Sequence, residues 1–158
     1  MEEVVTEEVT MSVEPIPKQY GSVTPYLLVE GAEGLIDFMK SAFGAEEQGR
    51  FPAPEGKVGH AELKVGDSIV MLADASTSDA GRPMPSMIVL YVADVDETYR
   101  RAIEAGATSQ REPADQFYGD RNAGVQDPFG NLWWIHTHVE DVPPEELERR
   151  AREAASAG

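Results

Sequence analysis

His60 and Glu62 are the first candidates for chemistry in this chain. They lie two residues apart in Val58 to Val65, where apolar and polar residues alternate. Side chains two apart on a strand share a face, so the pair would stand side by side. A histidine beside a carboxylate suits general acid–base catalysis, and with a third donor it suits a metal ion. A polar lining or a dimer contact is the simplest interpretation of the same pair.

Two further polar residues lie near the end of the chain. His136 follows Trp134 by two positions in an apolar run, so alternation places both on one face, where His136 would be the third metal donor. Arg121 follows Tyr118-Gly119-Asp120. It would either clamp a carboxylate or phosphate bidentately or form a local ion pair with an aspartate in a turn.

Composition excludes several classes of protein. The 158 residues suit one domain or two small fused modules, and 41% hydrophobic content is enough for a core. The net charge of −16 argues against nucleic acid and anionic membrane surfaces as partners and favours a cationic ligand. Absence of cysteine excludes disulfides and thiol nucleophiles. No apolar run is long enough to span a membrane, and the acidic N-terminus is unlike a secretory signal, so we expect a cytoplasmic protein.

The order of elements repeats. Strand, helix and three further strands are predicted over residues 21–75, and the same order recurs over 85–138. Gly44-Ala45 corresponds to Gly106-Ala107, and Gly66-Asp67 to Gly130-Asn131. Residues 1–20 predict a flexible acidic lead, residues 76–84 a linker, and residues 139–158 a C-terminal helix. Two β-α-β-β-β modules in tandem are therefore expected.

A turn followed by a core strand closes the second module. Asp-Pro and Gly-Asn are turn dipeptides, and the residues after them are apolar and aromatic. The full stretch is Asp127-Pro128-Phe129-Gly130-Asn131-Leu132-Trp133-Trp134.

These motifs resemble the glyoxalase/bleomycin-resistance/dioxygenase superfamily, also called the vicinal oxygen chelate superfamily, across residues 21–138. Further short motifs are similar to those of its PhnB-like branch, including Thr24-Pro25-Tyr26, Phe43-Gly44-Ala45 and Gly59-His60-Ala61-Glu62. The resemblance implies an α+β fold. Its tandem modules form a curved, mostly antiparallel eight-stranded sheet with helices on one face and a ligand on the concave face.

The resemblance also locates the family's four metal-binding positions. Here they fall on residues that are poor ligands for zinc, nickel or iron, namely Thr24, Val70 or Met71, Met87 and Trp134. We therefore expect no metal or other cofactor.

A small-molecule binder is the expected function. Eight residues would line its concave face: Thr24, Tyr26, Met71, Met87, Tyr91, Arg121, Trp134 and His136. Flat and polarizable side chains in this set favour an apolar or aromatic ligand, and the net charge favours a cationic one. The alternative is a lyase, isomerase or hydrolase that uses His60 and Glu62, with or without an unusual metal. Either protein is expected to form a homodimer.

Overall fold

The structure, a computed structural model, describes residues 13–77 and 81–157. The beginning of the predicted acidic lead and residues 78–80 of the predicted linker lie outside the described residues. The first module contains β1 (Tyr26–Val29), α1 (Ala32–Phe43), β2 (Glu46–Pro52), a 3₁₀ turn (Pro54–Gly56), β3 (Val58–Val65) and β4 (Ser68–Asp74). The second contains β5 (Met87–Tyr91), α2 (Val95–Glu104), β6 (Thr108–Asp115), β7 (Asp120–Gln126) and β8 (Leu132–His138), and α3 (Pro144–Ala157) follows.

The eight strands form two four-stranded sheets, ordered β1-β4-β3-β2 and β5-β8-β7-β6. In each sheet one pair is parallel and two are antiparallel. The predicted α+β class and the mostly antiparallel pairing are confirmed. The eight strands are divided into two hydrogen-bonded halves rather than joined in one continuous ladder.

The connection between β6 and β7 is a short turn. The connection is only 116–119, because β6 continues through Pro113 to Asp115. Proline is tolerated there since β6 is an edge strand. Gly119 closes the turn with φ 96°, a conformation that favours glycine.

The two modules share one hydrophobic core. It contains Leu27, Leu63 and Leu72 from the first module, and Trp133 and Ile135 from the second. Helix α1 joins them, since its last residue, Phe43, has its ring centroid 4.6 Å from that of Trp133. The core therefore fixes the relative position of the modules.

Phe129 adds a second contact between the modules. Its ring lies over Gly34 of α1, where a Cβ would be 2.7 Å from the ring. Only glycine leaves room for this approach.

Asp127 organises the turn that was predicted between the last two strands. Its Oδ1 accepts the backbone N–H groups of Phe129 and Asn131 at 2.9 and 3.0 Å. Its Oδ2 accepts the side-chain amide of Asn131 at 3.0 Å and the indole N–H of Trp133 at 2.8 Å. One buried carboxylate thus satisfies four donors and holds Trp133 in the core.

Asp74, at the end of β4, binds the start of α1. Its carboxylate accepts the backbone N–H groups of Gly31 and Ala32 at 3.1 and 2.9 Å, and that of Val58 at 2.7 Å. Partial burial opposes ionisation of Asp74, but these three hydrogen bonds lower its pKa below the usual range. Asp74 therefore remains ionised and ties α1 to β3 and β4.

Helix α3 is attached through polar contacts and has no buried residue. Arg150 donates to Glu140 at 2.6 and 3.1 Å and to the carbonyl oxygen of Phe117 at 3.3 Å. No helix within residues 13–77 and 81–157 is long and apolar enough to cross a membrane.

Replacing Asp127 should test its role in the fold. We expect Asp127→Ala to lower the free energy of unfolding by about 2–4 kcal/mol, because several buried donors lose their acceptor. Urea denaturation followed by circular dichroism measures this. Asp67→Ala is the matched control, since Asp67 lies in the corresponding, exposed β3–β4 turn and accepts only from Ser68. Equal small losses in both variants would contradict the role of Asp127.

Candidate functional site

We define the first-sheet face as Tyr26, Met71, His60 and Glu62, on the side of β1, β4 and β3 away from the core. Tyr26 pairs with Met71, and Met71 with Glu62, so three strands present one row. Of the two residues considered on β4, Met71 lies on this face, whereas Val70 is buried in the core.

The predicted His60–Glu62 pair is present on this face. His60 Nε2 lies 3.4 Å from Glu62 Oε1, and its Nδ1 lies 2.9 Å from the hydroxyl of Tyr26. Tyr20 donates to the same Glu62 oxygen at 2.5 Å. Both nitrogens of His60 are therefore engaged, so a substrate would have to displace one of these contacts.

The tyrosines on this face remain protonated at neutral pH. The hydrogen bond to Glu62 raises the pKa of Tyr20, and burial raises that of Tyr26. The face therefore presents phenolic donors beside one imidazole and one carboxylate. Tyr20 belongs to the predicted acidic lead, and its contact with Glu62 across 42 positions was not predictable from spacing.

We define the second-sheet face as Val89, Tyr91, Trp134, His136, Asn122, Gly124 and Arg111. Val89, Trp134, Gly124 and Arg111 form one row across β5, β8, β7 and β6, and Tyr91, His136 and Asn122 form the next row. Trp134 and His136 are together as predicted. Arg111, Asn122 and Gly124 were not among the predicted residues.

Asp120, another residue that was not predicted, lies buried at the end of this face. Its Oδ2 accepts the hydroxyl of Tyr91 at 2.6 Å and lies 3.0 Å from His136 Nδ1. Its Oδ1 lies 2.8 Å from His138 Nδ1. Burial opposes ionisation of Asp120, but these three hydrogen bonds outweigh it and lower the pKa to about 2.

This arrangement makes His136 a stronger candidate base than His60. Asp120 binds its Nδ1, while its Nε2 makes no hydrogen bond to any residue in the described part of the chain. An imidazole oriented by a carboxylate through one nitrogen keeps the other available for proton transfer. The same hydrogen bond from Tyr91 to Asp120 raises the pKa of Tyr91, so the phenol stays a donor.

His138 lies between two carboxylates. Its Nε2 is 2.6 Å from Asp141 Oδ1, and hydrogen bonds with Asp141 and Asp120 raise the pKa of His138. Because its folded pKa exceeds the unfolded value, its contribution to stability is present below the unfolded pKa and is lost as pH rises through the folded pKa.

Trp134 contacts Gly124 of β7 and Arg111 of β6. A Cβ at Gly124 would lie 2.7 Å or less from three ring atoms, so the indole covers the bare backbone of β7. The guanidinium of Arg111 lies over the ring, 4.9 Å from its centroid, in a cation–π contact. Trp134 is thus a fixed aromatic surface on this face.

Arg121 does not reach the second-sheet face, contrary to the prediction that it lines the concave face. Its guanidinium donates to both oxygens of Asp96 in α2 at 2.8 and 2.9 Å, and to Asp115 at 3.3 Å. The physical reason is alternation along β7, which directs Arg121 to the helix side while Asn122 lies on the open side. The alternative prediction, a local ion pair with an aspartate in a turn, is correct in the type of partner but not in its place, since Asp96 belongs to α2 and Asp115 to β6.

Thr24 and Met87 occupy peripheral positions. Thr24 precedes β1 and, together with Tyr91 and the segment around Tyr20, lines a cavity of about 1080 Å³ beside β5. Met87 is the first residue of β5 and is 67% exposed. Neither is joined by a hydrogen bond or ring contact to Trp134.

The residues do not fit the metal centre that the resemblance implies. Thr24, Met71, Met87 and Trp134 supply neither imidazole nor carboxylate to a divalent ion. Among residues 13–77 and 81–157, no cluster of three or more His, Cys, Asp or Glu side chains could hold a metal. His136 does not complete the His60–Glu62 pair, because it lies on the other sheet and makes no hydrogen bond, ion pair or ring contact with either residue.

Comparison with known proteins identifies the family. The sequence model of the Glyoxalase/Bleomycin resistance protein/Dioxygenase superfamily matches residues 20–135. The chain belongs to this superfamily. An uncharacterized protein of Mycobacterium tuberculosis strain H37Rv is 39% identical over 138 residues, which is 80% of each chain.

Solved structures of the superfamily share the fold. TioX from Micromonospora sp. ML1 is 30% identical with a TM-score of 0.64, covering 75% of this chain and all of TioX. A PhnB protein from Bacillus cereus, described as a putative 3-demethylubiquinone-9 3-methyltransferase, is 16% identical with a TM-score of 0.59, covering 74% of this chain and 99% of that protein. The predicted superfamily is therefore confirmed, and the PhnB protein shares its fold.

The ionised state of Asp120 should stabilise the fold in a pH-dependent manner. We expect Asp120→Asn to lower the free energy of unfolding at pH 7 by about 1.5–3 kcal/mol, because hydrogen bonds to a charged acceptor are lost. Since the folded pKa is about 2 and the unfolded value about 3.9, the difference from wild type should shrink as pH falls below about 4.

Denaturation at several pH values measures this difference. Asp115→Asn is the control, because Asp115 is an exposed carboxylate that forms an ion pair with Arg121. A difference for Asp120→Asn that stays constant from pH 7 to pH 2 would refute the assignment.

Proposed function

We propose that this protein binds a small apolar or aromatic molecule on its open sheet faces. The observation that carries the proposal is the position of Trp134, whose ring covers Gly124 and is partly exposed on the second-sheet face. An indole fixed in this way offers a planar surface without an ordering cost on binding.

The surroundings of Trp134 support an apolar ligand. Met87, Val89 and Tyr91 are 67%, 56% and 60% exposed, and all three lie on the open side of β5. Clustered apolar side chains exposed to water commonly mark binding surfaces. Three of the residues at the family's metal positions, Met71, Met87 and Trp134, are also apolar or aromatic, which supports binding rather than metal-assisted chemistry as the main role.

A two-fold homodimer is part of the proposal. Each sheet has edge strands that need a partner or cover, and superfamily members commonly form dimers. No hydrogen bond, ion pair or ring contact in the described residues joins the first-sheet face to the second-sheet face. A partner chain that brings one face opposite the other would enclose a ligand on both sides.

A lyase, isomerase or hydrolase is the second candidate. It is supported by the His60–Glu62 distance of 3.4 Å and by the orientation of His136 by Asp120 at 3.0 Å. Incubating the protein with a fractionated cell extract and following disappearance of compounds by mass spectrometry tests it. Conversion lost in His60→Ala would favour the His60–Glu62 pair, and conversion lost in His136→Ala would favour the second-sheet face.

Binding of an uncharged aromatic amide tests the main proposal. We expect 2-naphthamide to bind in isothermal titration calorimetry and Trp134→Leu to weaken it about tenfold, because stacking and buried area are both lost. Val139→Ala is the control, since Val139 is exposed and lies just after β8. No binding by wild type, or unchanged binding by Trp134→Leu, would refute the proposed site.

The dimer has its own test. We expect light scattering at micromolar concentration to give twice the chain mass of 17.2 kDa. Val89→Glu should shift the protein toward monomer, because a charge would be buried between the faces, whereas Val139→Glu should leave the mass unchanged. A wild-type monomer at these concentrations would contradict the proposal.

A further inference from the structure

Arg111 differs from the other arginines whose partners are known. Seven arginines of the described chain bind a carboxylate: Arg50, Arg100, Arg101, Arg121, Arg149, Arg150 and Arg152. Arg111 forms no ion pair with any described residue, although the chain has 29 acidic and 13 basic residues. Within residues 13–77 and 81–157, no carboxylate therefore forms an ion pair with its positive charge.

Neutral groups hold Arg111 in place. One terminal nitrogen donates to Asn122 Oδ1 at 2.5 Å, and Asn122, which is buried, donates in turn to the hydroxyl of Tyr118 at 2.6 Å. A guanidinium has five N–H donors, and the bond to Asn122 uses only part of this capacity. Asn122 thus orients Arg111 without neutralising it, which an aspartate at the same position would do.

The carboxylate of Asp120 stays ionised but lies at the far end of this face from Arg111. It is hydrogen-bonded to Tyr91, His136 and His138, and it lies four residues along β7 from Gly124, the strand partner of Arg111, which is about 13 Å at the usual rise per residue. The residues that define the second-sheet face include no carboxylate. The net charge of −16 acts at longer range, and at physiological salt its effect falls off over about 8 Å. The local charge at Arg111 therefore decides the preference of a molecule in contact with it.

Resting on the proposed function, we propose that Arg111 and Trp134 form a site for a planar aromatic carboxylate. The carboxylate accepts two parallel hydrogen bonds from the guanidinium, and the ring packs against Trp134 and Val89. Val89 and Arg111 are three strands apart in one row, a separation of about 14 Å at the usual strand spacing. This reverses the sequence-based expectation of a cationic ligand.

Three probes of matched shape test the charge preference: 2-naphthoate, the neutral 2-naphthamide and the cationic 2-naphthylmethylammonium. In calorimetry, wild-type protein should bind 2-naphthoate about tenfold more tightly than 2-naphthamide and more tightly still than the cation. Arg111→Gln should remove the preference for 2-naphthoate and leave 2-naphthamide binding nearly unchanged. Arg111→Lys should restore only part of it, because lysine keeps the charge but not the paired donors.

Arg101→Gln is the matched control, since Arg101 is exposed on α2 and binds Glu97; its affinities should equal those of wild type. Equal binding of 2-naphthoate and 2-naphthamide by wild type would overturn the carboxylate assignment and leave the aromatic site standing. Tightest binding of the cation would overturn it as well. Failure of all three probes to bind would refute the proposed function together with this inference. The affinities of wild-type protein for the three probes test the carboxylate assignment even if an Arg111 variant does not fold.

Discussion

The buried carboxylate of Asp127 sets the geometry on which both the fold and the candidate site depend. It binds the indole N–H of Trp133 at 2.8 Å, and Trp133 in turn contacts Phe43 of the other module. With Trp133 fixed toward the core, strand alternation places Trp134 on the opposite face. A single hydrogen-bonded turn therefore joins the two modules and exposes the aromatic surface proposed to bind a ligand.

Asp74, Asp120 and Asp127 have different structural roles because different groups donate hydrogen bonds to their carboxylates. Asp74 accepts backbone N–H groups from the start of α1 and from β3. Asp127 accepts donors from its own turn and from Trp133 of β8. Asp120 accepts a phenol and contacts two imidazoles. Each is buried or partly buried, which is unfavourable unless the charge is satisfied. Of the three, only Asp120 contacts imidazole side chains, which commonly serve as general acids and bases, so only there does the buried carboxylate belong to a candidate chemical site.

Local patterns in the sequence predicted the faces but not the contacts across strands. Alternation placed His60 with Glu62 and Trp134 with His136 because residues two apart share a face in any register. Asp120 could not be connected to His136 in this way, since their contact depends on how β7 pairs with β8. Arg111 was missed for a related reason: the pairing of β6 with β7 shifts on either side of it, so alternation counted along β6 does not reveal its neighbours.

The two open faces have different chemistry, and this difference constrains how a dimer would use them. The first-sheet face presents two phenols, an imidazole and Glu62, whereas the second-sheet face presents Arg111 beside Trp134. A two-fold axis that placed the two first-sheet faces together would bring two Glu62 carboxylates into one cleft. An axis that placed the two second-sheet faces together would bring two Arg111 side chains into one cleft. Pairing unlike faces avoids both repulsions and yields two equivalent clefts. In each, a planar anion could bind Arg111 at one end while donors from the partner's first-sheet face contact its other end.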